Sequence, residues 1–333
     1  MMKYISVQPR QTQNAGSWLF RKPAAALAAI WLIVFASSDA AAQSGSHTIR
    51  IAVIKSTIQA SALELPKYLP AGWKTELTPF TSPGDMTNAL LTDSVDLAYI
   101  GITVAVVARS KDQPIAIVAN LANKGCAIIA RADSSIRTIA DLKGKRIGDL
   151  PTSIHDILLR EELKKANVGL DEVTVIRLAP ADMPAALQRG DIDAFSGNEP
   201  NATQTLLDGY GRVVVYPYDT PVGSINLAVL TSERVIKENP EMLRVWAVAH
   251  AKATEELTKN PDHWADLVSN DWGYQRTATR KSIDNIELAW RLDPKWMAQF
   301  VVFMNRLKDL SVITRVPELD KLVVRKFVDQ VKF

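Results

Sequence analysis

A repeated helix–turn–strand unit is the sequence feature that most limits what this chain can fold into. The later copy predicts a helix over Met183–Arg189, ended by Gly190, and a short buried strand over Ile192–Phe195. Three pairs of residues recur 97 positions apart, namely Ala89 with Ala186, Leu90 with Leu187, and Asp96 with Asp193. The repeat predicts two similar α/β lobes, each with a loop at the carboxyl end of a strand, where open parallel sheets bind small ligands.

β-Branched apolar runs alternate with helix signals over most of the chain, which predicts βαβ units and a mostly parallel sheet flanked by helices in each lobe. The predicted strands are Thr48–Ile54, Trp73–Thr78, Val95–Ile100, Pro114–Asn120, Cys126–Ala130, Arg146–Gly148, Val173–Ile176, Ile192–Phe195, Arg212–Tyr216 and Asn226–Leu230. Helices are expected from Ser82 to Leu91, after a cap at Thr103, and from Ser153 to Ala166.

Two crossings between the lobes follow from the order of these strands. The strand at Cys126 leads into the second unit, and the strand at Asn226 returns the chain to the first. We therefore expect a first lobe of residues 43–127 and 229–333, a second lobe of residues 128–228, and two hinge strands between them. From Ser232 onward the pattern predicts helices, including one that carries Ile286, Ala289, Trp290 and Leu292.

Residues 1–42 have the features of a secretory signal peptide. Arg21 and Lys22 precede the apolar run Ala24–Ala36, which is too short to anchor in a bilayer, and Ala40-Ala41-Ala42 supplies a small-residue cleavage site. An uncleaved amphipathic anchor fits less well, because the run is apolar all round. No cysteine follows the cleavage site, so we expect a product outside the cytoplasm without a lipid anchor.

Charge and cysteine content exclude several classes of function. Without residues 1–42, basic and acidic residues balance at 35 each, so no nucleic-acid or anionic-lipid partner is expected. The single Cys126 cannot form an internal disulfide and is expected in the core. The four histidines lack metal-ligand spacing, and no catalytic motif is present, so neither a metal, a cofactor nor a catalytic residue is predicted.

Thr152, Ser153 and His155 open a predicted helix directly after a strand. Free amide groups in a first helical turn attract anions, and the two hydroxyls would add donors. The alternative is a capping box between Ser153 and Asp156, in which the hydroxyls only cap the helix. A neutral imidazole is expected for His155 at this position, bonded either to a ligand or to a neighbouring carbonyl.

Glu199 and Asn123 are further candidates at the predicted edge of the cleft. Pro200 restricts the preceding residue, which would direct Glu199 toward a ligand amine, a ligand hydroxyl or the opposite lobe. A solvated loop glutamate is the ordinary alternative. Asn123 lies at the first crossing as a ligand amide or as part of a plain polar turn. Five tryptophans of the helical tail form either an aromatic cage or ordinary packing: Trp246, Trp264, Trp272, Trp290 and Trp296.

Four stretches, taken in their order along the chain, resemble a known family: Val95–Gly101, Ile139–Gly148, Thr152–Asp156 and Gly190–Pro200. Together they resemble the periplasmic solute-binding proteins of ABC importers, in the nitrate/sulfonate/taurine branch. The resemblance implies the type II fold, with the ligand in the cleft between the lobes. It also implies ligand contacts from the following residues: Ser56, Thr57, Ser82, Thr103, Asn123, Thr152, Ser153, His155 and Glu199. The loop Lys55–Ile58 departs from the glycine and aromatic pattern common in this group, which leaves the ligand open.

The resemblance implies a periplasmic monomer that captures a small organic anion and delivers it to a membrane permease with a cytoplasmic ATPase. One alternative is a relative of pyrimidine-synthesising enzymes of the same fold, although these carry a cysteine-rich motif that is absent here. A secreted hydrolase and a periplasmic sensory subunit are two others.

Overall fold

Two β-sheets organise the part of the chain that the computed structural model describes, residues 47–333. The first sheet, in spatial order, consists of β11 (Ile286–Leu288), β4 (Ile115–Lys124), β10 (Ile225–Ser232), β3 (Leu97–Gly101), β1 (His47–Val53) and β2 (Trp73–Pro79). The second sheet consists of β7 (Thr174–Arg177), β6 (Arg146–Asp149), β8 (Ala194–Asn198), β5 (Cys126–Arg131) and β9 (Gly211–Val215). We call each sheet with its helices a lobe. The predicted α/β fold with two sheets is confirmed; the predicted signal peptide lies outside the described residues.

In each sheet four strands run in the same direction, but the pairings between neighbours are mixed: three of the five in the first sheet and two of the four in the second are antiparallel. β1 pairs in parallel with β2 and β3, and β6 pairs in parallel with β7 and β8. β10 in the first sheet and β5 in the second run antiparallel to both of their neighbours. Both of these strands enter their sheet from the other lobe. They therefore start at the edge where the neighbouring parallel strands end.

Helices cover the faces of both sheets, since most connections between neighbouring strands pass through one. They are α1 (Ser61–Glu64), α2 (Pro83–Leu91), α3 (Ile102–Ser110), α4 (Ile154–Lys165), α5 (Met183–Arg189), α6 (Asn201–Leu207), α7 (Glu233–Glu238), α8 (Pro240–Lys259), α9 (Pro261–Trp272), α10 (Arg276–Ser282), α11 (Pro294–Asp309) and α12 (Leu319–Leu322). None of the helices within residues 47–333 has both the length and the apolar character that a membrane span requires.

The repeated aspartates make the same contact in each lobe. The Asp96 carboxylate accepts hydrogen bonds from the backbone N–H of Arg50, at 2.9 Å, and from its guanidinium, at 2.6 Å. The Asp193 carboxylate binds Arg146 in the same way, at 2.9 and 2.8 Å. In both lobes the bond ties one strand, at Arg50 in the middle of β1 and at Arg146 at the start of β6, to the turn before its parallel neighbour. The repeat therefore marks a structural element that fixes strand register, not a ligand site.

The chain crosses between the sheets at Gly125 and again through residues 216–224. The Gly125 N–H donates to the Asn285 carbonyl, in the segment before β11, at 2.7 Å, and the Gly125 carbonyl accepts from the Glu199 N–H, after β8, at 3.0 Å. The Tyr218 hydroxyl bonds the N–H and the carbonyl of Cys126, both at 2.7 Å, which ties the two crossings together. By sheet pairing, the second lobe begins two residues before the predicted residue 128, and the first resumes four residues before the predicted residue 229.

Two local predictions are wrong. Ile286–Leu288 is not helical; it pairs with β4 as an edge strand, and its short apolar spacing fits either structure. Gly101, not Thr103, precedes the first turn of α3, because that helix begins directly after the strand. The five tail tryptophans pack in or against the core of the first lobe, as the packing alternative predicts.

Candidate functional site

The carboxyl ends of the parallel strands in both sheets meet at the first crossing, which makes this edge the candidate binding site. β4 ends at Lys124 and β5 begins at Cys126, so one residue separates the two sheets here. Cys126 pairs directly with Asn198, the last residue of β8. Eight of the nine predicted ligand residues lie shortly after the ends of β1, β2, β3, β6 and β8, in loops or in first helical turns, and Asn123 is in β4 itself.

In the first lobe, the predicted residues have different surroundings. Ser56 and Thr57 are buried after β1; the Thr57 hydroxyl accepts from Ser282 at 3.3 Å, and its carbonyl accepts from the Trp264 indole at 2.9 Å. Ser82 precedes α2, half-buried, without a capping bond. Thr57 is thus held by the helical tail.

Thr103 and Asn123 contrast with each other. The Thr103 side chain is fully buried in the first turn of α3, and its hydroxyl has no hydrogen-bond partner among residues 47–333. The Asn123 amide donates to Glu287 at 3.3 Å and accepts from Asn120 at 3.4 Å. The hydrogen bonds of Asn123 are those expected of a structural residue. The Thr103 hydroxyl has no such hydrogen bond.

The start of α4 is capped by its own residues. The Ser153 hydroxyl accepts the Asp156 N–H at 3.3 Å, and the Asp156 carboxylate accepts the Thr152 N–H at 2.8 Å. Thr152 is exposed, with a left-handed φ of 66°. The Asp156 carboxylate also binds Arg160, at 2.7 Å. These bonds account for Ser153 and Thr152 without a ligand, so their ligand role stays a prediction.

Asp149, the last residue of β6, adds a second carboxyl beneath this helix start. It is fully buried, and one of its oxygens has no partner among the described residues. Burial raises the pKa of the Asp149 carboxyl well above its ordinary value, and the charge of Asp156 raises it further. The Asp156 carboxylate already lies in the first turn of α4. This turn is therefore a poor site for an anionic ligand.

His155 is buried in the first turn of α4, with its Nδ1 3.4 Å from the Ser153 hydroxyl. Burial lowers the pKa of His155 to about 4, so the imidazole is neutral at pH 7, as expected from the sequence. Desolvation is the cause, because a charged imidazole would lose its hydration here.

We expect the buried His155 to weaken the fold in acid. The unfolded imidazole takes up its proton near pH 6.5, whereas the folded one does so near pH 4, so stability is lost as pH falls between these values. Relative to His155→Gln, the wild type should lose about 2–3 kcal/mol of unfolding free energy between pH 7 and 4.5. Urea unfolding of both proteins measures this difference. Parallel pH curves would contradict it.

Glu199 is buried and bridges the two lobes. One carboxylate oxygen accepts the Thr203 N–H in α6 at 3.0 Å, and the other accepts the Asn285 amide at 3.1 Å. Burial raises the pKa of Glu199, and both hydrogen bonds oppose this shift. The sequence predicted that Glu199 points toward a ligand amine, a ligand hydroxyl or the opposite lobe. Its bond to Asn285 is of the third kind.

Sequence reasoning missed two asparagines beside the crossing. Asn198 ends β8, and Asn226 is the second residue of β10; a side-chain oxygen of each is buried without a partner among the described residues. An amide within an apolar strand was the available signal, since such groups are normally hydrogen-bonded.

Two open pockets in the described part of the chain lie away from this edge. One, of about 320 Å³, is beside α7 and α12, and its charged residues pair with one another, as Arg109 does with Glu233 and Arg315 with Asp112. The other, of about 310 Å³, lies at the opposite end of β1, beside His47 and Trp73. Neither shares a residue with the strand-end loops, so we place the site by its unpartnered polar atoms rather than by cavity size. Within residues 47–333, no group of three or more His, Cys, Asp or Glu residues is placed to hold a metal ion.

Comparison with known proteins agrees with this architecture. The family model described as NMT1/THI5 like matches residues 68–264. A Brucella abortus protein with a provisional description as a binding protein is 27% identical over 216 residues, 64% of this chain and 66% of the relative. A provisional aliphatic sulfonates-binding protein of Escherichia coli is 30% identical over 195 residues, 56% of this chain and 60% of the relative. The chain therefore aligns with less than two thirds of either relative.

A solved structure shows the same fold. The ligand-binding component of an ABC-type import system from Staphylococcus aureus superposes with a TM-score of 0.78 at 18% identity, covering 86% of this chain and 99% of that one. The predicted type II periplasmic binding protein fold is thereby confirmed.

Proposed function

The chain belongs to the NMT1/THI5-like family, and from this premise we propose that it is the solute-binding component of an ABC importer. It captures a small organic anion, such as a sulfonate, nitrate or taurine-like compound, between its lobes. It delivers this solute to a membrane permease that works with a cytoplasmic ATPase. The proposal includes export by a signal peptide at residues 1–42 and a monomeric state in the periplasm.

One observation carries this proposal: several buried polar atoms without partners among the described residues lie where the two sheets meet. They include the Thr103 hydroxyl, one oxygen of Asp149, and the side-chain oxygens of Asn198 and Asn226. A buried polar atom without a hydrogen bond costs about 1–3 kcal/mol, and proteins tolerate this cost mainly at functional sites. A bound solute would provide the missing partners. Lys55, exposed in the loop after β1, supplies positive charge for an anionic group at the same edge.

The state of Cys126 argues against a role for this thiol as a nucleophile. Burial raises the pKa of this thiol strongly, and the charge of Glu199 raises it further. A thiol held in its protonated form is a poor nucleophile. The cysteine therefore gives no support to the enzyme alternatives.

A thermal-shift screen of the purified protein tests the proposed function. The panel contains sulfonates, nitrate, carboxylates and pyrimidines. A ligand that binds only the folded state, at 100 times its Kd, adds about 2.7 kcal/mol to the unfolding free energy and raises the melting temperature. We expect at least one member to do so without being turned over. Turnover of that compound, or no shift across the panel, would contradict the proposal.

Thr103→Val tests the site with the ligand that this screen identifies. Removing an unpartnered hydroxyl should leave the unfolding free energy nearly unchanged and weaken binding about tenfold. Thr231→Val is the matched control, because Thr231 is equally buried but its hydroxyl donates to the Asp96 carbonyl at 2.6 Å. The control should lose about 1 kcal/mol of stability and keep its affinity. Equal affinities for wild type and Thr103→Val would remove Thr103 from the site.

A further inference from the structure

We infer that the ligand carries an N–H donor group, which Asn198 and Asn226 recognise beside the first crossing. The inference rests on the proposed function and specifies its ligand further. We call the side-chain oxygens of these two residues the acceptor pair. Asn198 belongs to the second sheet and Asn226 to the first, so each lobe contributes one acceptor.

The orientation of the Asn226 amide is fixed by its neighbours. Its nitrogen donates to the Lys124 carbonyl and lies 3.4 Å from the Cys126 sulfur. A carbonyl only accepts hydrogen bonds, so the amide NH₂ must face it and the amide oxygen must face away. That oxygen is buried in a residue that is 1% exposed, and it has no partner within residues 47–333.

Asn198 lies on the other side of Cys126. The two residues are directly paired across β5 and β8, which places their Cβ atoms about 5 Å apart on one face of the sheet. Because the Cys126 sulfur also touches the Asn226 amide, Asn198 and Asn226 are neighbours through one side chain. The Asn198 oxygen is likewise buried without a partner in the described part of the chain.

The chemistry of the acceptor pair limits the ligand. An amide oxygen accepts hydrogen bonds and cannot donate them. Nitrate, a simple alkanesulfonate and a simple carboxylate also only accept, so none of them can satisfy the pair. A ligand with an amino or amide N–H group would supply the donor that both oxygens lack.

Two pairs of probes, each differing by one amino group, test this inference. They are taurine with ethanesulfonate, and β-alanine with propionate. Calorimetric titration of the purified protein gives a Kd for each probe, and the ratio within a pair measures donor recognition. We expect the amino compound of at least one pair to bind about tenfold to a hundredfold more tightly, since the other leaves buried acceptors unpaired.

Variants at Asn198 separate an acceptor from a donor role. Asn198→Leu should reduce the ratio about tenfold, whereas Asn198→Asp, which keeps an oxygen acceptor in either orientation, should preserve or increase it. Asn305→Leu, an exposed site on α11, is the control and should leave the ratio unchanged. Three results would overturn this inference and leave the proposed function standing. They are equal Kd values within each pair, an unchanged ratio in Asn198→Leu, and loss of binding in Asn198→Asp. No binding by these four probes would overturn this inference for amino-bearing anions; no binding in the broader screen as well would also overturn the proposed function.

Discussion

Replacing Trp246 with alanine is expected to lower the free energy of unfolding by about 3–5 kcal/mol. The indole is fully buried in the core of the first lobe and stacks on His250 at a centroid distance of 5.1 Å. Its N–H donates to the Tyr99 hydroxyl at 3.0 Å. The alanine variant loses this packing, leaves a cavity and removes the donor to Tyr99.

The hydrogen-bond chain beyond Tyr99 increases this cost. The Tyr99 hydroxyl lies 3.2 Å from His250 Nδ1, and His250 Nε2 lies 3.2 Å from the Asn120 carbonyl. These contacts are consistent with a neutral His250 protonated on Nε2, and burial lowers the pKa of His250 to about 4. Trp272→Ala, at a half-buried tryptophan of α9, is the control for urea unfolding and should cost much less. Equal losses in the two variants would show that Trp246 has no special role.

Replacing Arg306 with methionine is expected to cost about 3–5 kcal/mol, because it leaves the Glu161 carboxylate buried without its partner. Arg306 is in α11, and Glu161 is in α4 of the second lobe; two guanidinium nitrogens bind one carboxylate oxygen at 2.7 and 3.1 Å. The side chains are 16% and 2% exposed, respectively. Urea unfolding at pH 7 measures the loss.

Two further variants test whether buried charge causes this effect. Adding Glu161→Gln to Arg306→Met should recover part of the stability, since the unpaired charge is then removed. Arg315→Met breaks an exposed pair with Asp112 and should leave stability nearly unchanged. If the double variant is no more stable than Arg306→Met, lost packing rather than buried charge explains the cost.

The fold was largely predictable because its signals are local. The helix Met183–Arg189 has the predicted bounds, and α2 ends at Leu91 as predicted. Apolar runs and helix-ending glycines determine structure over a few residues, so they can be read from the sequence without knowledge of tertiary contacts. The helix predicted at Ile286–Leu288 was wrong for the opposite reason. It is a strand only because the edge of β4 is available to pair with it.

The candidate site was less predictable, since hydrogen-bond partners are a property of the folded chain. Nothing in the sequence distinguishes Thr57, whose hydroxyl accepts from Ser282, from Thr103, whose hydroxyl lacks a partner. Asn226 reads as one polar residue in an apolar strand until its neighbours are known. The sequence suggests which loops meet at the cleft, and the structure is needed to identify the atoms that still require a ligand.

Gly125 has a consequence for the order of events during binding. Its N–H and its carbonyl are each bonded to a different lobe, so a rotation of one lobe against the other would have to turn close to this residue. Atoms near such a turning point would move least. Asn198 pairs with Cys126, and Asn226 donates to the Lys124 carbonyl, so each asparagine contacts a chain neighbour of Gly125. Their spacing would therefore be nearly the same before and after closure. A solute would be selected by its amino end while the mouth is still wide, and the far loops would then only determine how long it stays.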